Sequence, residues 1–257
     1  MSLNFDFGVW DLALMLAVSA QATWLAYVHS PRMKAILYSL PVPFTLASLS
    51  LGQPIDVTHV MGLPLVFLYT NGVRWLHVNR RVPIVVSILA GALAHCGIGM
   101  VLARWVPVTE TSFWAAMAVV VVVSIGLYAT MPHRAEPGHR SPLPIPVKFS
   151  LILVIISGLI VIKHLLRGFM ASFPMVGLVA AYEARNCLWT LGRQVPALML
   201  GMCPMLGICH VVQQWWGLKV GLAVGWVVFL LVLAGLSRRL WTVEAVDGGD
   251  LEGGRAV

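Results

Sequence analysis

Nine apolar stretches of about 20 residues, separated by short polar gaps, dominate this chain. They run roughly over 8–28, 33–52, 57–77, 82–105, 112–131, 147–166, 168–191, 195–216 and 218–240. At 1.5 Å of rise per residue, about 20 helical residues cross the hydrocarbon of a bilayer. The stretches are too long and too evenly apolar for the alternating strands of a membrane β-barrel. With 59% hydrophobic and 11% charged residues in 257, too little polar surface exists to keep a folded core in water. The expected fold is all-α, a polytopic helical membrane bundle of about nine transmembrane helices. The sixth and seventh stretches are kept apart because one continuous helix would hold Lys163, His164 and Arg167 in hydrocarbon.

The cations set a direction. With the N-terminus outside, the inner gaps and tail carry Arg32, Lys34, Arg74, Arg80, Arg81, Arg134, Arg140, Lys148, Arg185, Arg193, Arg238, Arg239 and Arg255. Only Arg104, Lys163, Arg167 and Lys219 fall outside. An excess of Lys and Arg on cytoplasmic loops predicts N-out, C-in threading. The net charge of +7 is thus read as topology signal and lipid-phosphate contact, not as a nucleic-acid surface. Ala20-Gln21-Ala22 imitates a signal-peptide cleavage site, but Asp11 interrupts the apolar run and no basic segment precedes it, so cleavage is not expected.

A Pro-rich segment, 133–147, divides a first bundle (1–132) from a second (148–241), and an acidic tail with Gly pairs, 242–257, reads as disordered. Shifting the first block by 115 residues aligns Gly62 with Gly177, Asn71 with Asn186, His95 with His210 and Arg104 with Lys219. That spacing admits a 4+4 parallel repeat plus one helix, a plan some transporters share. Within 148–210, Lys148 ahead of an apolar span, then Phe173-Pro174, Tyr182 and a further apolar span resemble the layout of small GlpM-type bacterial inner-membrane proteins. The resemblance implies a multi-pass protein of the bacterial inner membrane and says nothing of a substrate.

Polar residues at depth are the candidates for function, since lipid tolerates them poorly. Glu183 lies about sixteen residues into its span, about 24 Å below the outer end. Asn186 shares its helical face, Asn71 lies at a similar depth in the third span, and Arg185 points elsewhere, toward the headgroups. His95 and His210 sit near mid-bilayer in two helices that run the same way. These five, Glu183, Asn186, Asn71, His95 and His210, form the expected substrate or proton pathway. Asp11, Asp56, His59, Glu110, Lys163 and His164 form an expected outer vestibule, although Asp56 and His59 also suit a helix start. His95-Cys96 and Cys209-His210 pair metal-ligand residue types, but neighbours on a helix point about 100° apart and do not readily serve one ion. All four cysteines lie in apolar spans without CxxC spacing and read as buried hydrophobes.

Pro41, Pro43, Pro64, Pro174 and Pro204 interrupt spans and mark kinks or broken-helix sites, those near Gly62 and Gly177 above all. No catalytic, metal or cofactor motif is present, including HExxH and GxSxG. The expected function is a small-solute membrane transporter, proton-coupled through Glu183 or a histidine. The alternatives are a lipid flippase or scaffold subunit of a membrane complex, and an intramembrane enzyme on a lipid-linked substrate. The expected partners are membrane lipids and an unspecified small solute, with a homo-oligomer or larger complex compatible and nucleic acid not.

Overall fold

The computed structural model describes residues 8–28, 31–132 and 166–252, with positions 150, 153, 154, 157 and 158 between them. For 31, 32, 34, 35 and 237–252 it describes the backbone alone. The Pro-rich segment 133–147, Lys163 and His164 lie outside the described residues. Those described form helices and turns, with no strand.

In chain order the helices are α1 Val9–Tyr27, α2 Pro31–Ser39, α3 Val42–Leu51, α4 Val57–Arg74, α5 Ile84–Trp105 and α6 Glu110–Thr130. They continue with α7 Gly168–Ala171, α8 Met175–Glu183 and the long stretch Leu188–Glu252, broken at Gly217 (φ 78°, ψ 168°) into α9 (188–216) and α10 (218–252). Helical backbone thus continues into the Gly-paired segment for which composition suggested disorder.

The break at Gly217 turns the chain back on itself. Gly201 packs on Phe229, Gly225 on Met205 and Cys209, and Gly221 on the Cys209 carbonyl. Partner numbers fall along one limb as they rise along the other, which makes α9 and α10 an antiparallel hairpin. Gly217, Gly221 and Gly225 recur every fourth residue, and such small-residue faces let two helix backbones close together.

Val9–Tyr27, Ile84–Trp105, Glu110–Thr130 and Leu188–Leu236 are long and apolar enough to cross a bilayer. Their outward faces are apolar too. Val85, Val86, Leu89 and Leu93 of α5 and Val119, Val122 and Ile125 of α6 are all at least half exposed. In water such a surface would aggregate, whereas lipid accepts it. Exposed tryptophans gather at the two ends of the bundle: Trp10, Trp105, Trp114, Trp215 and Trp216 at one, Trp24 and Trp75 at the other. That is the position of interfacial aromatic belts.

Two expected spans are not single helices. The stretch 33–52 breaks at Leu40–Pro41, because Pro41 lacks an amide donor and disfavours the α conformation at Leu40, while Pro43 is accepted in the first turn of α3. The stretch 168–191 breaks at Ser172–Pro174, ends at Glu183, and restarts at Leu188. Glu183 is therefore the last residue of a nine-residue helix, not a mid-helix acid in a continuous span. The third stretch keeps its helix through Arg74 and then loosens into a π-helical turn, Trp75–Asn79. The pairs of the 115-residue shift occupy unlike surroundings: Asn71 is helical and Asn186 lies in a turn, and His95 is 2% exposed while His210 is hydrogen-bonded near the bundle's end.

The core closes around α7 and α8. Leu166, Phe169 and Met170 are wholly buried, and α7 is wedged between α3, α4 and α5. Two glycines allow this. Gly62 faces Ser172 so closely that a methyl group there would overlap the Ser172 hydroxyl. Gly168 lies against Thr58 and His59, where a Cβ would sit 2.7 Å from His59 Cε1. Gly62→Ala should therefore lower stability by about 1–3 kcal/mol through overpacking. Gly126→Ala, with nothing within 4 Å, should hold or raise it. Thermal unfolding in detergent compares the two, and equal midpoints would contradict the tight α4–α7 crossing.

Candidate functional site

Polar side chains at the end of the bundle formed by the starts of α1, α4 and α6 and the tip of the α9–α10 hairpin resolve into three local clusters. In the first, Asp11 accepts from the Gly8 amide at 2.8 Å and from the Ser50 hydroxyl, joining the start of α1 to the end of α3. In the second, Asp56 caps α4. It accepts from the Thr58 amide at 2.9 Å and from the Thr58 hydroxyl at 2.5 Å, with His59 Nδ1 at 3.0 Å. The Gly168 amide donates to the Thr58 hydroxyl at 3.1 Å, so the same cap anchors the start of α7.

The third cluster gathers α6, α9 and the chain before α4. His210 Nδ1 lies 2.8 Å from the Ile55 carbonyl and Nε2 lies 2.8 Å from Glu110 Oε2. Gln213 donates to the Ile55 carbonyl at 2.9 Å and accepts from its amide at 2.7 Å. Trp114 holds the other Glu110 oxygen at 2.6 Å, and Phe113 stacks on the imidazole at 3.8 Å. The Gln213 side-chain nitrogen also lies 3.4 Å from Nδ1, so the imidazole is held by Ile55, Gln213 and Glu110 together. Glu110 is 59% exposed, which opens the pair to the surface.

A second location lies deeper. The break at Leu40–Pro41 and the break at Ser172–Pro174 face one another across a cavity of about 70 Å³. Leu63 and Val66 of α4 and Leu198 and Met202 of α9 close its sides. Among the described residues no charged side chain lines it, and its polar contributions come from Tyr38, Ser172 and backbone. Tyr38 is 7% exposed and its hydroxyl meets no hydrogen-bond geometry, although Thr70 lies near. Tyr69, next to it, reaches the Gly177 carbonyl at 3.4 Å.

The residues expected to share a pathway occupy separate surroundings. Glu183 is buried at the end of α8, whose neighbours are chiefly α1 and α5. Asn186 is exposed in the following turn, because the helix that would align it with Glu183 has already ended. Arg185 stacks on Tyr182 at 5.3 Å. Asn71 donates to the Phe67 carbonyl at 3.1 Å on its own helix and lies against Gly192 of α9. His95 touches Phe173, a cavity-lining residue, edge to face at 5.2 Å. His210 joins a residue of the expected vestibule, Glu110. Cys209 turns away from it and donates to the Gly221 carbonyl at 3.2 Å. Sequence reasoning did not single out Tyr38, Ser172, Thr58 or Gln213. The prolines at 41, 43 and 174 were the available signal for the cavity.

No family model, curated protein or solved structure matches this chain.

Burial opposes ionisation of Asp56, but hydrogen bonds from His59 and Thr58 outweigh it and hold the carboxyl down at about 2, from an ordinary 3.8. A lowered folded value means that the ionised form stabilises the fold. The contribution, about 2 kcal/mol, is full above about pH 4 and fades as pH falls through about 2. Thermal midpoints in detergent between pH 5 and pH 2 should show this step in the wild type. Asp56→Asn should be less stable at pH 5 and should flatten the profile.

Proposed function

We propose that this protein is a small-solute membrane transporter that holds its substrate where the two helix breaks meet and couples to protons through Glu110 and His210. The observation that carries the reading is the pairing of broken helices, Leu40–Pro41 against Ser172–Pro174, around a cavity inside a lipid-facing bundle. Irregular backbone at membrane depth persists where it is buried in protein or lines a cavity, and discontinuous helices are a recurrent means of holding transported solutes. The Glu110–His210 pair adds ionisable groups where α6 meets α9, and α9 is one of the helices that border the cavity. Glu183 is not part of this reading, because it closes α8 at the end opposite Met175–Gly177 and is not a lining residue.

The reading includes nine spans threaded N-out, C-in, in a bacterial inner membrane, with lipid as the main partner and the cation distribution as support. Residues of α2, α3, α4, α7, α8 and α9 border the cavity, so one chain supplies the whole site and an oligomer is not required for it.

Purified protein in proteoliposomes should accumulate its solute when an inward pH gradient is imposed. Glu110→Gln should abolish gradient-driven accumulation, and wild-type accumulation by that variant would remove the coupling role. Absence of flux across a panel of labelled amino acids, sugars and carboxylates would overturn the transporter reading.

A further inference from the structure

Ionisable side chains are sorted between the two ends of the bundle. Asp11, Asp56 and Glu110 stand at the end that holds the three polar clusters, and Glu183 is buried. At the opposite end, where α4, α6 and α8 finish and α5 and α9 begin, stand Arg74, Arg80, Arg81 and Arg185. Arg80 and Arg81 are exposed, and the other two are half-buried. Among the described residues none of the four pairs with a carboxylate. Three lie over aromatic rings instead: Arg74 over Trp189 at 4.5 Å, Arg80 over Trp75 at 4.7 Å and Arg185 over Tyr182 at 5.3 Å. The Trp189 indole also donates to the Pro132 carbonyl at 3.1 Å, which ties the ends of α4 and α6 to the start of α9. A ring attracts the cation without offering an oxygen to its five N–H donors. Those donors form a fork that matches the oxygens of a phosphate.

The backbone gives an independent sign at the same corner. Arg81 has φ 56°, in the left-handed region, where the chain leaves the π-helical turn for α5. Around it the Arg80 amide donates to the Trp75 carbonyl at 3.2 Å and the Val82 amide to the Leu76 carbonyl at 3.0 Å. Glycine closes a helix end of this kind without strain. The turn gains nothing from the arginine side chain that is held there at a conformational cost, and strained residues of this sort gather at functional sites.

Around and past Arg81 the surface turns apolar. Val78, Val85, Val86 and Leu89 are each more than half exposed. From Ile84 to Leu89 the helix rises about 8 Å, so the cations stand directly beside an apolar strip on one continuous segment. A free anion would use the arginines and leave the strip bare, whereas a lipid covers both. A zwitterionic headgroup carries its own ammonium, which this cluster of arginines repels, and a net negative headgroup carries none.

We infer that this corner binds an anionic phospholipid, its phosphodiester on Arg80 and Arg81, with Arg74 adding charge, and an acyl chain along Val85, Val86 and Leu89. The rival occupant is the chain's own acidic stretch, Glu244, Asp247, Asp250 and Glu252, at the end of α10. The inference rests on the lipid-facing bundle and goes beyond the transporter reading, so the two fail separately. Solute flux without a headgroup preference removes the lipid site, and a headgroup preference without flux removes the transporter.

Native mass spectrometry of the full-length protein in detergent provides the test, with phosphatidylglycerol and phosphatidylcholine of identical acyl chains titrated in turn. Phosphatidylglycerol should bind at least about tenfold more tightly, as two or more cations at a membrane surface provide. Arg80→Gln combined with Arg81→Gly should bring the two lipids within about threefold of each other. The same double variant should keep or raise the thermal midpoint in lipid-free detergent, because glycine relieves the left-handed position. Arginines with a merely structural role would lower the midpoint and leave the lipid preference in place. Equal binding of both lipids by the wild type, or a preference that survives in the double variant, would overturn the assignment. Displacement of phosphatidylglycerol by an equal concentration of inorganic phosphate would also overturn it, in favour of a free-anion site. A variant carrying Glu244→Gln, Asp247→Asn, Asp250→Asn and Glu252→Gln should bind phosphatidylglycerol as the wild type does. A gain of about tenfold or more there would assign the arginines to the acidic stretch and remove the lipid.

Discussion

Away from water, every backbone amide and carbonyl needs a partner inside the protein, and the centre of this bundle is organised around that requirement. Unbroken helices meet it by themselves, and α5 and α6 do so while turning valines and leucines outward. The two interrupted segments cannot. Gln21, Thr45 and Ser172 act as local substitutes for missing helical hydrogen bonds, each reaching a carbonyl that the break set free.

Close backbone approach is the other half of the design. Gly62, Gly168 and the Gly217, Gly221, Gly225 series sit where a side chain would collide or separate two helices. In lipid, where apolar burial gives helices little reason to associate, contact of this kind and interhelical hydrogen bonds must hold the bundle. The Trp226 indole donating to the Thr45 hydroxyl at 2.7 Å is one such bond, tying α10 to α3.

The long apolar runs were legible because hydropathy over about 20 residues reports lipid exposure directly. The turn between α9 and α10 falls in the gap that the runs leave at Gly217 for the same reason. The helix breaks were harder to read. Proline marks a place where a helix weakens, and Pro64, Pro196 and Pro204 stay inside helices while Pro41 and Pro174 stand at breaks. What separates them is tertiary: neighbours that supply substitute hydrogen bonds. Glu183 was misplaced by the same gap in knowledge, because its depth was counted along a helix that in fact stops and restarts. Glu110 and His210 were each visible as ionisable residues, but their pairing joins positions 100 residues apart and has no local pattern.

Ile55 and Gln213 exchange two hydrogen bonds, as opposed residues do in a sheet, while His210 adds a third contact to the same carbonyl. This clasp fastens the tip of the α9–α10 hairpin to the corner between α3 and α4. The hairpin cannot swing free on its glycine face while the clasp holds. Through one imidazole the same clasp reaches Glu110 of α6, so a single corner of the chain pins two helices at once, as a latch holds a hinged door.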